Sequence, residues 1–271
     1  MKALTFCTRL NVFIGGKVVG TGDFMSSKVS SQLVFIHGFL DEGRLWSQVI
    51  GDLREVPSSN ALALDLPGMG SRAKDGGDYG LSTLRDFVVK EVAGLAGPLV
   101  LVGHSMGTQI AELVATALPG RVTSLVLISP VPLGGLPVPD DVASAMRKLG
   151  GDGDAQRRMR SQLMADPSID KIDAMVTAGL KVKAATVAAL FDAFSQGVPE
   201  GKEPTKFKGT VLIIGGANDG FSTPELVKTV IAPRFPQAEL AFTERAGHWP
   251  HVEQPNEIAS RIDDFLAKRG S

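Results

Sequence analysis

Short apolar runs alternate with helix-like patterns along most of this 271-residue chain. Runs of this length predict strands that are buried on both faces of a parallel sheet. The segments between them repeat apolar residues every three or four positions, which predicts helices packed on both faces of that sheet. The pattern therefore predicts an α/β fold with a mostly parallel central sheet. The predicted strands are residues 33–36, 61–64, 99–102, 124–128, 210–214 and 239–242, and the predicted helices are about 43–53, 83–95, 108–118, 224–231 and 256–268. An additional two-stranded hairpin is predicted within residues 3–24.

The alternation stops between residues 131 and 208, where no strand pattern occurs. Four helical patterns are found there instead, at about 139–149, 154–164, 170–180 and 184–196. This segment is longer than a connection between neighbouring strands requires. We therefore expect a core made of residues 1–130 and 209–271 and a helical cap of residues 131–208 over the strand ends.

Apolar residues of the predicted cap are candidates to line a pocket beneath it. We expect most of them to form the cap's own core and a minority to contact a substrate. The candidates are Met159, Leu163, Met164, Met175, Leu180, Leu190, Phe191 and Phe194, and the four preferred are Met175, Leu180, Phe191 and Phe194. The basic residues of the same segment are interpreted as a solvated face: Arg147, Lys148, Arg157, Arg158 and Arg160.

The charge balance gives no electrostatic reason to expect a nucleic acid or an anionic membrane as partner. The chain has 28 basic and 29 acidic residues and a formal net charge of -1. Its single cysteine, Cys7, excludes an intramolecular disulfide and a cysteine-based zinc site. No apolar run approaches the roughly 20 residues that span a bilayer, and no signal-peptide pattern is visible. We expect a cytoplasmic protein that acts on a small molecule, and the oligomeric state stays open.

The segment Gly103-His104-Ser105-Met106-Gly107 stands between a buried strand and a helix. Glycines on both sides of the serine are typical of a sharp strand-to-helix turn, because the turn crowds its neighbours. Such a turn holds the serine oxygen at the N-terminus of the helix, where the dipole favours negative charge. The pattern predicts a nucleophile elbow with Ser105 as the nucleophile.

A serine hydroxyl needs a base to become nucleophilic, and the base is most often a histidine held by a carboxylate. Asp219 and His248 follow later predicted strands, in the order Ser, Asp, His. Because the carboxyl ends of parallel strands meet at one edge of the sheet, the three residues can converge there. We predict that Ser105, Asp219 and His248 act together.

Five short motifs together resemble the α/β-hydrolase superfamily over almost the whole chain. They are His37-Gly38-Phe39, Asp65-Leu66-Pro67-Gly68-Met69-Gly70, Gly103-His104-Ser105-Met106-Gly107, Gly216-Ala217-Asn218-Asp219 and Gly247-His248. The resemblance implies the α/β-hydrolase fold, with Ser105 as nucleophile, Asp219 as acid and His248 as base. It also implies an oxyanion hole formed by the backbone N–H groups of Phe39 and Met106.

The side chains of Phe39 and Met106 are expected to border the pocket, and Trp249, beside the base, is a further pocket candidate. By the same resemblance, Asp65 and His37 are structural residues. His248 is preferred to His251 as the base because a glycine precedes it.

These residues predict a serine hydrolase that cleaves a small to medium, uncharged carboxylic ester through an acyl-enzyme, without metal or cofactor. Three reactions of the same side chains stay open: carbon–carbon bond hydrolysis of ring-fission diketones, lactone hydrolysis and cofactor-free perhydrolysis. A non-catalytic ligand receptor of the same fold is the alternative from a different class.

Overall fold

The computed structural model describes residues 31–268 and two short strands near the N-terminus, β1 (Phe13–Ile14) and β2 (Lys17–Val18). These two strands pair antiparallel, as the hairpin predicted for residues 3–24 requires. The rest of that predicted hairpin, including Cys7, lies outside the described residues.

The central sheet has six strands, and every neighbouring pair in it is parallel. Along the sheet the order is β4-β3-β5-β6-β7-β8. All six strands predicted for the sheet are therefore confirmed. Their bounds are β3 (Gln32–Ile36), β4 (Ala61–Leu64), β5 (Leu99–His104), β6 (Val122–Ile128), β7 (Thr210–Gly216) and β8 (Glu239–Thr243).

Helices follow the strands as the periodicity predicts. Their bounds are α1 (Ser47–Asp52), α2 (Leu81–Glu91), α3 (Met106–Ala117), α4 (Asp140–Arg147), α5 (Gly153–Leu163), α6 (Ile169–Gly179), α7 (Ala184–Gln196), α8 (Pro224–Leu226), α9 (Pro250–Glu253) and α10 (Pro255–Ala267). A π-helical turn over Val227–Ile231 continues α8.

Alternate side chains of the sheet enter two separate hydrophobic layers. Leu99 and Leu101 of β5 pack with α2 and α3, whereas Val100 and Val102 of the same strand pack with α1 and α10. Successive residues of a strand point to opposite faces, so a strand covered on both faces is apolar throughout. The sheet is therefore a middle layer between helices, as the sequence predicts.

Helices α4 to α7 stand between β6 and β7, and among the described residues no strand interrupts them. We call residues 131–208 the helical insertion. Within it, α4 packs against α7 and α5 against α6. The four helices that the sequence predicts here are thus confirmed, while the division of the chain into a core and a cap stays a prediction.

No single helix in the described part of the chain has the length and apolar character of a membrane span. Two helical segments of the insertion, Ile169–Gly179 and Ala184–Lys202, have this length and apolar character only when they are taken together, and the pair is bent by 103° at the break between them.

Candidate active site

Ser105 occupies a strained turn between β5 and α3. Its φ of 51° and ψ of -121° lie where residues other than glycine are uncommon. Gly107 is required beside it, because a Cβ there would collide with the carbonyl oxygen of Ile36 in β3. The close approach of helix to strand therefore places the Ser105 hydroxyl at the carboxyl edge of the sheet.

The side chains of Ser105, His248 and Asp219 form a hydrogen-bonded chain. The Ser105 hydroxyl donates to Nε2 of His248 at 3.0 Å, and Nδ1–H of His248 donates to Asp219 Oδ2 at 2.9 Å. All three residues are buried, and Ser105 is 6% exposed. The structure thus brings together the three residues that the sequence places 143 and 29 positions apart.

Asp219 also binds its own loop. Its Oδ1 accepts hydrogen bonds from the N–H groups of Phe221 at 2.8 Å and Ser222 at 2.9 Å. Burial alone would raise the pKa of Asp219, but the charge of His248 and these hydrogen bonds lower it below its ordinary value. The ionised carboxylate fixes the proton of His248 on Nδ1, which leaves Nε2 free to accept from Ser105.

Two backbone segments border the Ser105 hydroxyl. Met106 is the first residue of α3, so its N–H has no carbonyl partner within that helix. The other segment follows β3, where Gly38 passes so near that a Cβ on it would lie 3.1 Å from the Cβ of Ser105. Phe39 comes directly after this contact. The two N–H groups predicted for an oxyanion hole therefore belong to the segments that flank Ser105.

A cavity of about 30 Å³ opens at Ser105 and His248. Its other walls are mostly apolar and come from the core and from the helical insertion. They are Phe39, Asp41, His104, Met146, Met159, Leu163, Phe194, Phe221 and Trp249.

Only some of the pocket residues predicted from the sequence line the cavity. Phe194 and Trp249 line the cavity, as predicted, and Phe39 does so as well. Phe191 is not among the described lining residues, because it stands behind Phe39 and Phe194 and packs edge-on against both. The Met106 side chain is fully buried in the core instead of bordering the cavity.

Two further pocket predictions are wrong. Met175 is fully buried in a small cluster with Met164, Ile172 and Trp249, so it packs behind the cavity wall and is not among the described lining residues. Leu180 lies at the end of α6 and is 46% exposed. Helical periodicity identifies an apolar face but not the neighbour that this face meets, and that is why these two predictions fail.

The solvated face predicted for the basic residues of the insertion is wrong for Arg160. Its side chain is fully buried and donates to Asp41 Oδ1 at 2.9 Å. Asp41 Oδ2 accepts in turn from Nε1–H of Trp249 at 3.0 Å. Burial alone would raise the pKa of Asp41, but the charge of Arg160 and the hydrogen bonds lower it. No sequence pattern pointed to this ion pair, since its partners are 119 residues apart.

Glu253 is a second buried carboxylate that sequence reasoning missed. One of its oxygens accepts from the N–H groups of Gly247 at 2.9 Å and Trp249 at 3.2 Å, on either side of His248. The other accepts from Ala165 at 2.7 Å and Asp166 at 3.2 Å, in the helical insertion. Glu253 thus ties the His248 loop to the insertion.

The remaining histidines are buried beside the site and have structural contacts. His37 accepts from the N–H of Leu66 at 3.1 Å, and Nε2–H of His104 donates to the carbonyl of His248 at 2.7 Å. His251 stacks on Trp46 with ring centroids 4.2 Å apart, and its ring nitrogens have no hydrogen-bond partner among the described residues. None of these three histidines has the hydrogen bond to the Ser105 hydroxyl that His248 has.

Asp65 is also structural. It accepts from the N–H groups of Gly43 at 2.7 Å and Ser71 at 2.8 Å, so it holds two loops together. Over the described residues, no group of three or more His, Cys, Asp or Glu side chains has the arrangement of a metal site.

The model of the alpha/beta hydrolase family matches residues 33–261 of this chain. The chain belongs to this family. It is accordingly a hydrolase of the α/β type, as the motifs around Ser105 predict.

Relatives with known names are similar over most of their length. The chain is 25% identical over 257 residues to the sn-1-specific diacylglycerol lipase ABHD11 of Mus musculus, covering 87% of this chain and 80% of the relative. A thermophilic esterase from Thermogutta terrifontis has a similar structure, with a TM-score of 0.73 and 23% identity over 88% of this chain and 90% of that one. The enol-lactonase from Burkholderia xenovorans LB400 gives a TM-score of 0.75 at 16% identity, covering 88% and 92% of the two chains.

The buried histidines predict a pH-dependent stability. Burial lowers the pKa of His104 to about 3 and, together with His104 and His248, lowers that of His251 well below its ordinary value. The unfolded chain takes up protons below about pH 6.5 that the native state refuses, so stability is full above this pH and declines below it. Between pH 7.5 and 5, the free energy of unfolding in urea should fall less in His251→Phe than in wild type. The two falls should differ by up to about 2 kcal/mol. Parallel pH curves for variant and wild type would contradict this account.

Glu253→Gln should destabilise the protein, because an amide NH₂ would face two backbone N–H donors. We expect a loss of about 2–3 kcal/mol in the free energy of unfolding, the usual cost of a charged hydrogen bond and an unpaired buried donor. Glu257→Gln is the matched control: its partly exposed pair with Arg261 on α10 should contribute no more than about 0.5 kcal/mol. Urea unfolding of both variants measures the difference, and equal losses would argue against the bridging role.

Proposed function

We propose that this protein is a serine hydrolase that cleaves small to medium, uncharged carboxylic esters through an acyl-enzyme. The observation that carries the proposal is the hydrogen-bonded chain from Ser105 through His248 to Asp219, which opens on an apolar cavity. These three hydrogen-bonded side chains supply a nucleophile, a base and a group that orients the base.

In the first step, the Ser105 oxygen attacks the ester carbonyl carbon while its proton passes to Nε2 of His248. The carbonyl oxygen becomes an oxyanion, which accepts hydrogen bonds from the N–H groups of Phe39 and Met106. When the tetrahedral intermediate collapses, the bond to the alcohol oxygen breaks, and the departing alcohol takes the proton from His248. The acyl group stays on Ser105.

In the second step, water attacks the acyl carbon and gives a proton to His248. The same N–H groups hold the second oxyanion, and its collapse returns the proton to the Ser105 oxygen and releases the carboxylic acid. Asp219 stabilises the imidazolium in both steps, since its lowered pKa keeps it ionised. The proton balance closes within these side chains, so the mechanism needs no metal or cofactor.

The cavity supports an uncharged substrate with a short acyl chain. Asp41 is the charged group in its wall beside the triad, and Arg160 neutralises it at 2.9 Å. A volume of about 30 Å³ holds roughly two water-sized groups. The relative named as a diacylglycerol lipase agrees with ester chemistry. The esterase and lactonase neighbours share the fold and by themselves favour neither substrate.

Hydrolysis of a p-nitrophenyl ester series of increasing acyl length tests the proposal. Wild-type protein should turn over the short esters with a clear optimum, and Ser105→Ala should lose that turnover by about 10⁴-fold or more, because no other group can carry the acyl intermediate. Circular dichroism of the variant controls for folding.

Folded wild-type protein without turnover of any ester would overturn the proposal. Consumption of a ring-fission diketone in a parallel assay would then identify a carbon–carbon bond hydrolase. Tight binding of such ligands without turnover would identify a receptor.

Met159→Ala should shift the acyl optimum to longer chains by roughly two or three carbons, because the lining side chain loses three heavy atoms. Ile262→Ala is the matched control, since Ile262 is fully buried in the hydrophobic layer with α1 and α10 and is not among the described residues that line the cavity. It should leave the optimum unchanged while lowering the free energy of unfolding by about 2–5 kcal/mol. The ester series and urea unfolding of both variants give the two measurements, and a shifted optimum in Ile262→Ala would refute this map of the cavity.

A further inference from the structure

Arg160 is a fully buried arginine on α5 of the helical insertion. A buried guanidinium requires both a counter-charge and hydrogen-bond acceptors. Arg160 finds its counter-charge in Asp41, at 2.9 Å from Nη1. Its Nη2 donates to the backbone carbonyl of Leu40 at 2.8 Å. Both acceptors belong to the segment that follows β3, so one side chain of the insertion holds this segment at two adjacent residues.

That segment is a tight turn with an unfavourable backbone conformation. The N–H of Asp41 donates to the carbonyl of Gly38 at 3.4 Å, which places Phe39 and Leu40 at the centre of the turn. Leu40 has a φ of 58°, at the turn position where glycine is normally preferred. A leucine stays in this left-handed conformation only where its surroundings over-determine it. The hydrogen bond from Arg160 to the Leu40 carbonyl is such a constraint.

The same ion pair also reaches the segment of the base. Asp41 Oδ2 accepts from the indole N–H of Trp249 at 3.0 Å, and Trp249 directly follows His248. The Arg160 guanidinium carbon lies 5.3 Å from the centre of the Trp249 ring, within cation–π range. Arg160 and Asp41 therefore link three segments: the turn with Phe39, the His248 loop and the helical insertion.

We propose that Arg160 is a positioning residue for the oxyanion hole: by holding Asp41 and the Leu40 carbonyl, it aims the N–H of Phe39 at the oxyanion. This inference rests on the proposed function, because the oxyanion forms only if Ser105 attacks a carbonyl. Arg160 is not itself among the described residues that line the cavity, so it acts through the turn and does not touch the substrate. The helical insertion thereby supplies part of the catalytic geometry as well as cavity walls.

The test compares Arg160→Lys with wild type. A lysine ammonium can stay paired with Asp41, but it lacks the fork that also reaches the Leu40 carbonyl. We expect kcat to fall about 10- to 100-fold, as for a misaligned oxyanion donor, while KM stays within about twofold. Arg157→Met is the matched control on the same helix, since Arg157 pairs with Asp173 at the surface. It should keep wild-type kcat.

A second variant removes both charges, so that no uncompensated charge stays buried: Arg160→Met combined with Asp41→Asn. It should fold and show a similar loss of kcat. The specific readout is inhibition by a trifluoromethyl ketone of matching acyl length, which forms a tetrahedral oxyanion on Ser105. Its Ki should rise by the same factor as kcat/KM falls, whereas the Ki of the corresponding secondary alcohol should not change.

Three results would overturn the inference: kcat within about threefold of wild type in both folded variants, a loss of kcat without weaker ketone binding, or equal weakening of ketone and alcohol. The last result would indicate general damage to the cavity. Wild-type protein that hydrolyses no ester is a different outcome: it overturns the proposed function, and this inference with it.

Discussion

The whole site depends on the close approach of α3 to the centre of the sheet. Ser105 takes a positive φ there, and its N–H donates to the carbonyl of Ile128 in β6 at 3.0 Å. Gly107 permits the contact with β3 that a larger residue would block. Since β5 lies between β3 and β6, the serine reaches the edge at which the loops after β3, β7 and β8 also emerge. Ser105 is therefore the reference point for the turn after β3, for Asp219 and for His248, whose positions matter only relative to its hydroxyl.

Buried and half-buried carboxylates hold the loops around that point. Asp219, Glu253 and Asp65 each accept backbone N–H groups from loops at the carboxyl edge, and Asp41 accepts from Arg160 and Trp249. Loops have no regular partner for their N–H groups, and an unpaired buried N–H is costly. A carboxylate with two oxygens satisfies several of them at once. Charge-assisted hydrogen bonds therefore fix the conformation of these loops, because hydrophobic packing is not directional and does not specify one by itself.

This arrangement makes the helical insertion part of the site and not only its cover. Arg160 of the insertion contacts the turn of Phe39, and the N–H of His248 donates to the carbonyl of Leu163 in the insertion at 2.8 Å. Glu253 accepts hydrogen bonds from both the insertion and the His248 loop. A displacement of α5 would therefore disturb the turn of Phe39 and the His248 loop together. The positions of these two segments are coupled through the insertion.

The sequence alone predicted the sheet, its covering helices and the meeting of Ser105, Asp219 and His248, because apolar period and glycine spacing are local properties of the chain. It could not determine which apolar helix residues meet the cavity, as Met175 and Leu180 illustrate. Nor could it distinguish Arg160 from the exposed basic residues near it. Those features depend on how α5 and α6 are oriented against the sheet. Tertiary packing decided them, since contacts between residues more than a hundred positions apart leave no local pattern.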